Sequence, residues 1–247
     1  MMETLSRVVT VAEMQGRDLG RRRLALILLV ALPLAFYGAM AGHSDQAIIP
    51  GGVAMAFSVA GAAIFSVLSS RAVDQRLTLA GLRPSEMLAG RLLFLEALSL
   101  PIVGGTSVLM ALVSHPPRPW VMGLAVELVA VVAIPFGLVV GALLPRELEA
   151  TLVLIGVVGI QLSLDVSEGL SKVLPFYGPA RLLDASLGGD YPVEAALVMS
   201  LLYAAALLVA SFFVVARRIR VGSHPVPGEA TDDSSEGGGE AGEMWRG

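Results

Sequence analysis

Residues 51–68 form an unbroken run of eighteen residues without an ionisable side chain. Coiled as a helix, that run is about 27 Å long, close to the roughly 30 Å hydrocarbon thickness of a bilayer. Only a deep core or a membrane could surround it. Composition decides between them. Of the 247 residues, 55% are hydrophobic and 15% charged, with a mean hydropathy of +0.76. A water-soluble domain carries about 25% charged residues, so this chain cannot present an ordinary wetted surface. It reads as an integral membrane protein. A soluble enzyme is excluded, and so is a nucleic-acid binder, which needs a basic stripe.

Hydropathy predicts six spans: 24–42, 51–68, 92–113, 121–144, 150–164 and 193–216. The fifth is about 22 Å long, too short to cross unaided. Basic residues set the orientation. Thirteen arginines fall before the first span, between the second and third, between the fourth and fifth, and after the sixth. The opposite side holds Arg118, Lys172 and Arg181. Cytoplasmic loops are enriched in cations, so both termini are expected in the cytoplasm and the chain in a cell (plasma or inner) membrane. Ala39-Met40-Ala41 after an apolar run resembles a signal cleavage site, but the run exceeds a usual signal core, and a retained anchor is expected.

What is missing narrows the chemistry. There is no Cys and no Asn, and His43, His115 and His224 form no helix-spaced pair for a metal. The single lysine, Lys172, lies between Ser171 and Val173, not in the Gly-Lys-Ser/Thr setting of a phosphate-binding loop. No catalytic centre, metal site or cofactor is expected in this chain, and any ATP-driven work must come from another polypeptide.

The flanking segments differ from the spans. Residues 1–23 place Leu5, Val8, Val9 and Ala12 at helical spacing, opposite Ser6, Thr10, Glu13 and Arg17, the pattern of a helix lying in the membrane interface. Residues 222–247 hold six acids and seven glycines with almost no aliphatic side chains. They cannot offset their chain entropy by burial and are expected to be a disordered acidic tail.

The connector 69–91 carries the most information. Arg71, Asp74 and Arg76 precede Leu77, Leu79 and Leu82; Gly81 offers a helix stop; Pro84 or Ser85 can start the next helix. Charges flanking a leucine-rich turn suit docking against a soluble partner. A merely solvated loop explains the arginines but not the leucines.

The stretch Leu77-Thr78-Leu79-Ala80-Gly81-Leu82-Arg83-Pro84-Ser85-Glu86-Met87-Leu88-Ala89-Gly90-Arg91 resembles the membrane subunits of type-two ATP-binding-cassette exporters. The resemblance extends diffusely over residues 1–220, with Gly81 where a Pro is common and Gln75 where a Glu is usual. It implies an all-α polytopic protein of six transmembrane helices that dimerises, with itself or a similar permease. It also implies a separate ATP-binding subunit bound at the connector, with ATP on that partner chain. Arg71, Asp74, Arg76, Leu77, Leu82, Glu86 and Arg91 are then the coupling residues. A haem-exporter-like subunit of cytochrome maturation shares this architecture.

Two other readings belong to different classes. A non-transport scaffold or assembly factor would recruit proteins through the same connector. A proton-coupled carrier would use Glu127, a possible intramembrane polar site in the fourth span, since acids inside membranes are rare and often functional. Glu96, nearer the cytoplasmic end, is expected to snorkel or to pair with Arg91. Gly137 and Gly141 form a small-residue face for helix packing. Residues 165–192 are too apolar for a solvated loop and are expected as short helices folded partly into the outer leaflet, possibly re-entrant.

Overall fold

The structure, a computed structural model, describes residues 2–20, 23–41, 47–164 and 169–221. The acidic tail 222–247 lies outside them, as do 42–46 and 165–168. The described residues are helical, without strands. The helices are α1 (Met2–Gly20), α2 (Arg23–Ala41), α3 (Ile48–Ser69), α4 (Arg71–Leu79), α5 (Pro84–Ser114), α6 (Pro119–Leu143), α7 (Glu147–Ser163), α8 (Tyr177–Ser186) and α9 (Val193–Val221). A 3-10 helix, Gly169–Val173, precedes α8.

Local chemistry accounts for the breaks. Pro84 and Pro119 occupy the first turns of α5 and α6, where proline's missing N–H is harmless. His115 closes α5 in the left-handed conformation, φ 45°, and Pro116-Pro117 behind it cannot continue a helix.

Four helices are long and apolar enough to cross a membrane: α3, α5, α6 and Val193–Arg217 of α9. Helices also stand at the first and fifth predicted spans. The described apolar part of α2, Leu29–Ala41, is shorter. With 17 residues and both Glu147 and Glu149 in its first turn, α7 keeps the shortness expected of it.

The body is built around α3 and α6. A Cβ at Gly137 would lie 2.4 Å from the Ala60 carbonyl oxygen, and one at Gly141 would lie 3.1 Å from Ile64. Only glycine lets these backbones approach so closely, so the small-residue face is a packing face. Burial follows from that centre. Within the most apolar window of each helix, 72% of α6 and 67% of α3 is buried, against 28% of α5 and 17% of α9. The described residues leave most of α5 and α9 uncovered.

At the end of the body bearing the α5–α6 turn, α8 folds inward. Phe176, Tyr177, Leu182 and Leu183 are fully buried, and Leu183 fills the space that a side chain at Gly52 would need. At the other end, α1 packs across the start of α5. A Cβ at Gly90 would meet Val11 at 2.7 Å, and the Ser66 hydroxyl donates to Gln15 at 2.6 Å. Among the described side chains of α1 the buried one is Val11, outside the expected stripe of Leu5, Val8, Val9 and Ala12; Val8 and Ala12 are half-buried, and Val9 and Met14 are exposed.

Candidate functional site

The connector is a helical hairpin, α4 against the start of α5, and its turn has a defined cause. After α4 ends, Gly81 adopts φ 85°, a conformation that only glycine takes without strain. The Gly81 N–H donates to Thr78 O at 3.0 Å and the Leu82 N–H to Leu77 O at 3.1 Å. These two bonds are those of a Schellman motif, which also brings its third-from-last helical residue and the residue after the glycine together. Here those residues are Leu77 and Leu82, and both are half-buried. The Glu86 carboxylate then accepts from the Arg83 N–H at 2.9 Å, half of the capping box that starts α5.

Beneath the turn, charged side chains face one another rather than water. The Arg91 guanidinium, 6% exposed, reaches both Asp74 carboxylate oxygens at 3.1 Å and also donates to Ser70. Ser70 in turn donates to Ser66 O and Asp74. Arg91 therefore staples α5 to the start of α4. Arg71 donates to Pro145 O at 2.8 Å and to Leu144 O at 2.6 Å, tying the hairpin to the α6–α7 turn. Glu86, 6% exposed, lies 3.8 Å from Arg7 of α1. Two segments distant in sequence, α1 and the α6–α7 turn, thus hold one hairpin.

What remains outward is specific. Leu79 is 88% exposed at the end of α4, beside exposed Arg76, Ala80, Gly81 and Arg83. Val73 on the same short helix is 42% exposed. Of the seven candidate coupling residues, then, Arg71, Asp74, Glu86 and Arg91 point into the frame. Leu77 and Leu82 close the turn, and Arg76 alone lies fully on the surface. Leu79 is the prominent residue that the leucine pattern contained but did not single out. The signal for it was the glycine offset: a Schellman turn at Gly81 assigns Leu77 and Leu82 to the turn and leaves the residue between them outside.

Glu127 lies about two turns into α6 and is half-buried, as is Glu96 on α5. Among the described residues neither takes part in a salt bridge or side-chain hydrogen bond. Glu96 is not paired with Arg91, which is engaged by Asp74 and Ser70. No group of three metal-ligating side chains occurs among the described residues.

At the far end, Arg181 of α8 lies over two tyrosine rings, 5.4 Å from the centre of Tyr177 and 4.9 Å from that of Tyr191. It is also 3.9 Å from Asp184. Tyr203 of α9 donates to the Lys172 carbonyl. This end is satisfied internally.

No protein-family model matches this chain, and no curated protein sequence does.

Proposed function

We propose that this chain is the membrane-spanning subunit of an ATP-driven exporter, whose hairpin at residues 70–91 receives a separate ATPase on the cytoplasmic side. The observation that carries this reading is Leu79: a leucine held 88% exposed on a hairpin fixed from within by Arg91, Asp74 and Arg71. A large apolar side chain presented to water on a rigid frame, with arginines around it, has the form of a docking anchor with a polar rim. Because this sequence has no phosphate-binding loop, the reading assigns ATP hydrolysis to the partner.

In this reading, helices α2, α3, α5, α6, α7 and α9 are the six spans, both termini are cytoplasmic, and α1 lies in the interface with Val9 and Met14 toward lipid. Two such subunits, identical or similar, enclose the pathway. The test is to purify the tagged full chain from its native membrane in mild detergent and assay the eluate for ATP hydrolysis. Co-eluting hydrolysis is expected, and it should disappear when Arg76 and Leu79 are both replaced by Asp. An eluate without ATPase at normal yield of intact chain would overturn the reading.

One observation favours a second reading. Glu127 is half-buried within α6 and takes part in no salt bridge among the described residues, and an acid so placed in a membrane-spanning helix suits a proton-coupled carrier. Such a carrier would run in proteoliposomes on a proton gradient alone, and Glu127→Gln would stop it.

A further inference from the structure

An open apolar groove of about 450 Å³ lies between α2, α3 and α7. It follows α3 from Leu68, level with Glu147 at the start of α7, up to Phe57. Phe57 meets Phe36 of α2 with ring centres 6.2 Å apart and closes the far end. Eleven helical residues make the groove about 17 Å long. One leaflet of a bilayer has a hydrocarbon depth of about 15 Å. The groove thus begins at the headgroup level on the hairpin's side and stops near the midplane.

Its chemistry is graded in the same direction. Apart from Thr151 one turn in, the polar side chains are at the mouth. Glu147 lines it, exposed and in no salt bridge among the described residues, while the neighbouring Arg146 lies 3.6 Å from Glu149. Water has too few partners to fill the apolar length. A second helix is too thick: about 10 Å across, it needs roughly 1,300 Å³ over 17 Å. A single acyl chain is slim enough.

We propose that this groove holds one acyl chain of a zwitterionic aminophospholipid from the leaflet on the hairpin's side, with its ammonium at Glu147. The lipid completes the contact between α2 and α7 across α3, a place where the protein alone leaves a gap. Gly61 is the groove's waist. A Cβ there meets only Leu154, at 4.0 Å, so a larger side chain enters the groove without touching backbone.

The test uses the full chain with Trp120→Phe, Trp245→Phe and Phe65→Trp, leaving one tryptophan on the groove wall. It is reconstituted in vesicles of phosphatidylethanolamine and phosphatidylglycerol, with one lipid at a time brominated on its acyl chains. Brominated phosphatidylethanolamine should quench the tryptophan with about fivefold preference over brominated phosphatidylglycerol, the ratio one ion pair near a surface can supply. Glu147→Gln should erase that preference. Gly61→Leu should weaken lipid occupancy about tenfold, as expected from losing about ten carbon contacts. Equal quenching by both lipids, or quenching unchanged by Gly61→Leu, would overturn the proposal. So would a tryptophan shielded from both lipids, which would mean that a second copy covers the groove. If Gly61→Leu fails to fold, the headgroup comparison in the unsubstituted groove decides alone.

Discussion

The two ends of the helical body are built from similar materials and finished differently. Each has a short helix beside a glycine-containing turn, several large apolar side chains and an arginine surrounded by partners. At the α8 end that helix turns its large apolar side chains inward: Phe176, Leu182 and Leu183 are fully buried, and Arg181 is held between two tyrosines and Asp184. At the α4–α5 end the polar groups turn inward, and Leu79 stands outside at 88% exposure. A chain that can bury a leucine-rich helix so completely at one end did not lack the means at the other. The exposed leucine follows from where the internal ties are placed. Arg91 and Asp74 fix the hairpin's inner face, and the Schellman turn at Gly81 uses Leu77 and Leu82.

If this contrast is right, the closed end should be the more easily broken by added bulk. A Cβ at Gly178 would lie 2.3 Å from the Ser200 hydroxyl and 2.7 Å from the Ala196 carbonyl, so Gly178→Leu must push α8 off α9. A loss of about 3 kcal/mol or more is expected, the upper range for overpacking. Thermal unfolding in mild detergent measures it. The control is Gly156→Leu on α7, where nothing lies within 4 Å and the change should stay within about 0.5 kcal/mol.

The hairpin end should break through charge. Arg91→Leu leaves Asp74 without its partner, and because Asp74 is 23% exposed, water recovers part of the deficit. A loss of about 2 kcal/mol is expected, below the 3–5 kcal/mol of a fully buried pair. Replacing Asp74 by Leu as well should restore most of it, and a double-mutant cycle reads the coupling directly. If the double variant is as unstable as the single one, the pair is not what fixes the hairpin.

The smallest structural effect should come from Arg181→Ala. It removes two cation–π contacts of about 0.5–1 kcal/mol each and a long contact to Asp184, so a total near 1 kcal/mol is expected. Arg181→Lys should recover only part of it, because a point charge stacks less well than a planar guanidinium.

How much of this could be seen beforehand depended on range. The membrane class, the helix breaks at Gly81 and Pro84, and the packing face of Gly137 and Gly141 are local matters, written in composition, turn chemistry or four-residue spacing. The ties that position the hairpin are not local. Arg71 reaches carbonyls 73 and 74 residues away, and Glu86 faces Arg7 from a helix at the other end of the sequence. An arginine near the membrane face looks the same whether it staples two helices or waits for a partner. Along residues 71–91 the seven candidate coupling residues were all visible, yet only folding decided which belonged to the frame and which to the surface. The long helices hid their inner faces for a simpler reason. Apolar all round, α5 and α9 carry no periodic contrast between a side toward protein and a side toward lipid.

The most direct measurement places the same substitution at both ends. Leu79 on the hairpin and Leu170 in the 3-10 helix Gly169–Val173 are exposed leucines, 88% and 62%, and Asp at either should change stability by no more than about 0.5 kcal/mol. The full chain carrying Leu79→Asp or Leu170→Asp is purified from its native membrane, and the ATP hydrolysis that co-elutes is compared with the unsubstituted chain. Leu79→Asp is expected to reduce co-eluting ATPase at least tenfold, since losing a docking anchor costs about 2 kcal/mol, while Leu170→Asp leaves it unchanged. Equal retention by both variants would contradict the claim that the hairpin is where the ATPase docks.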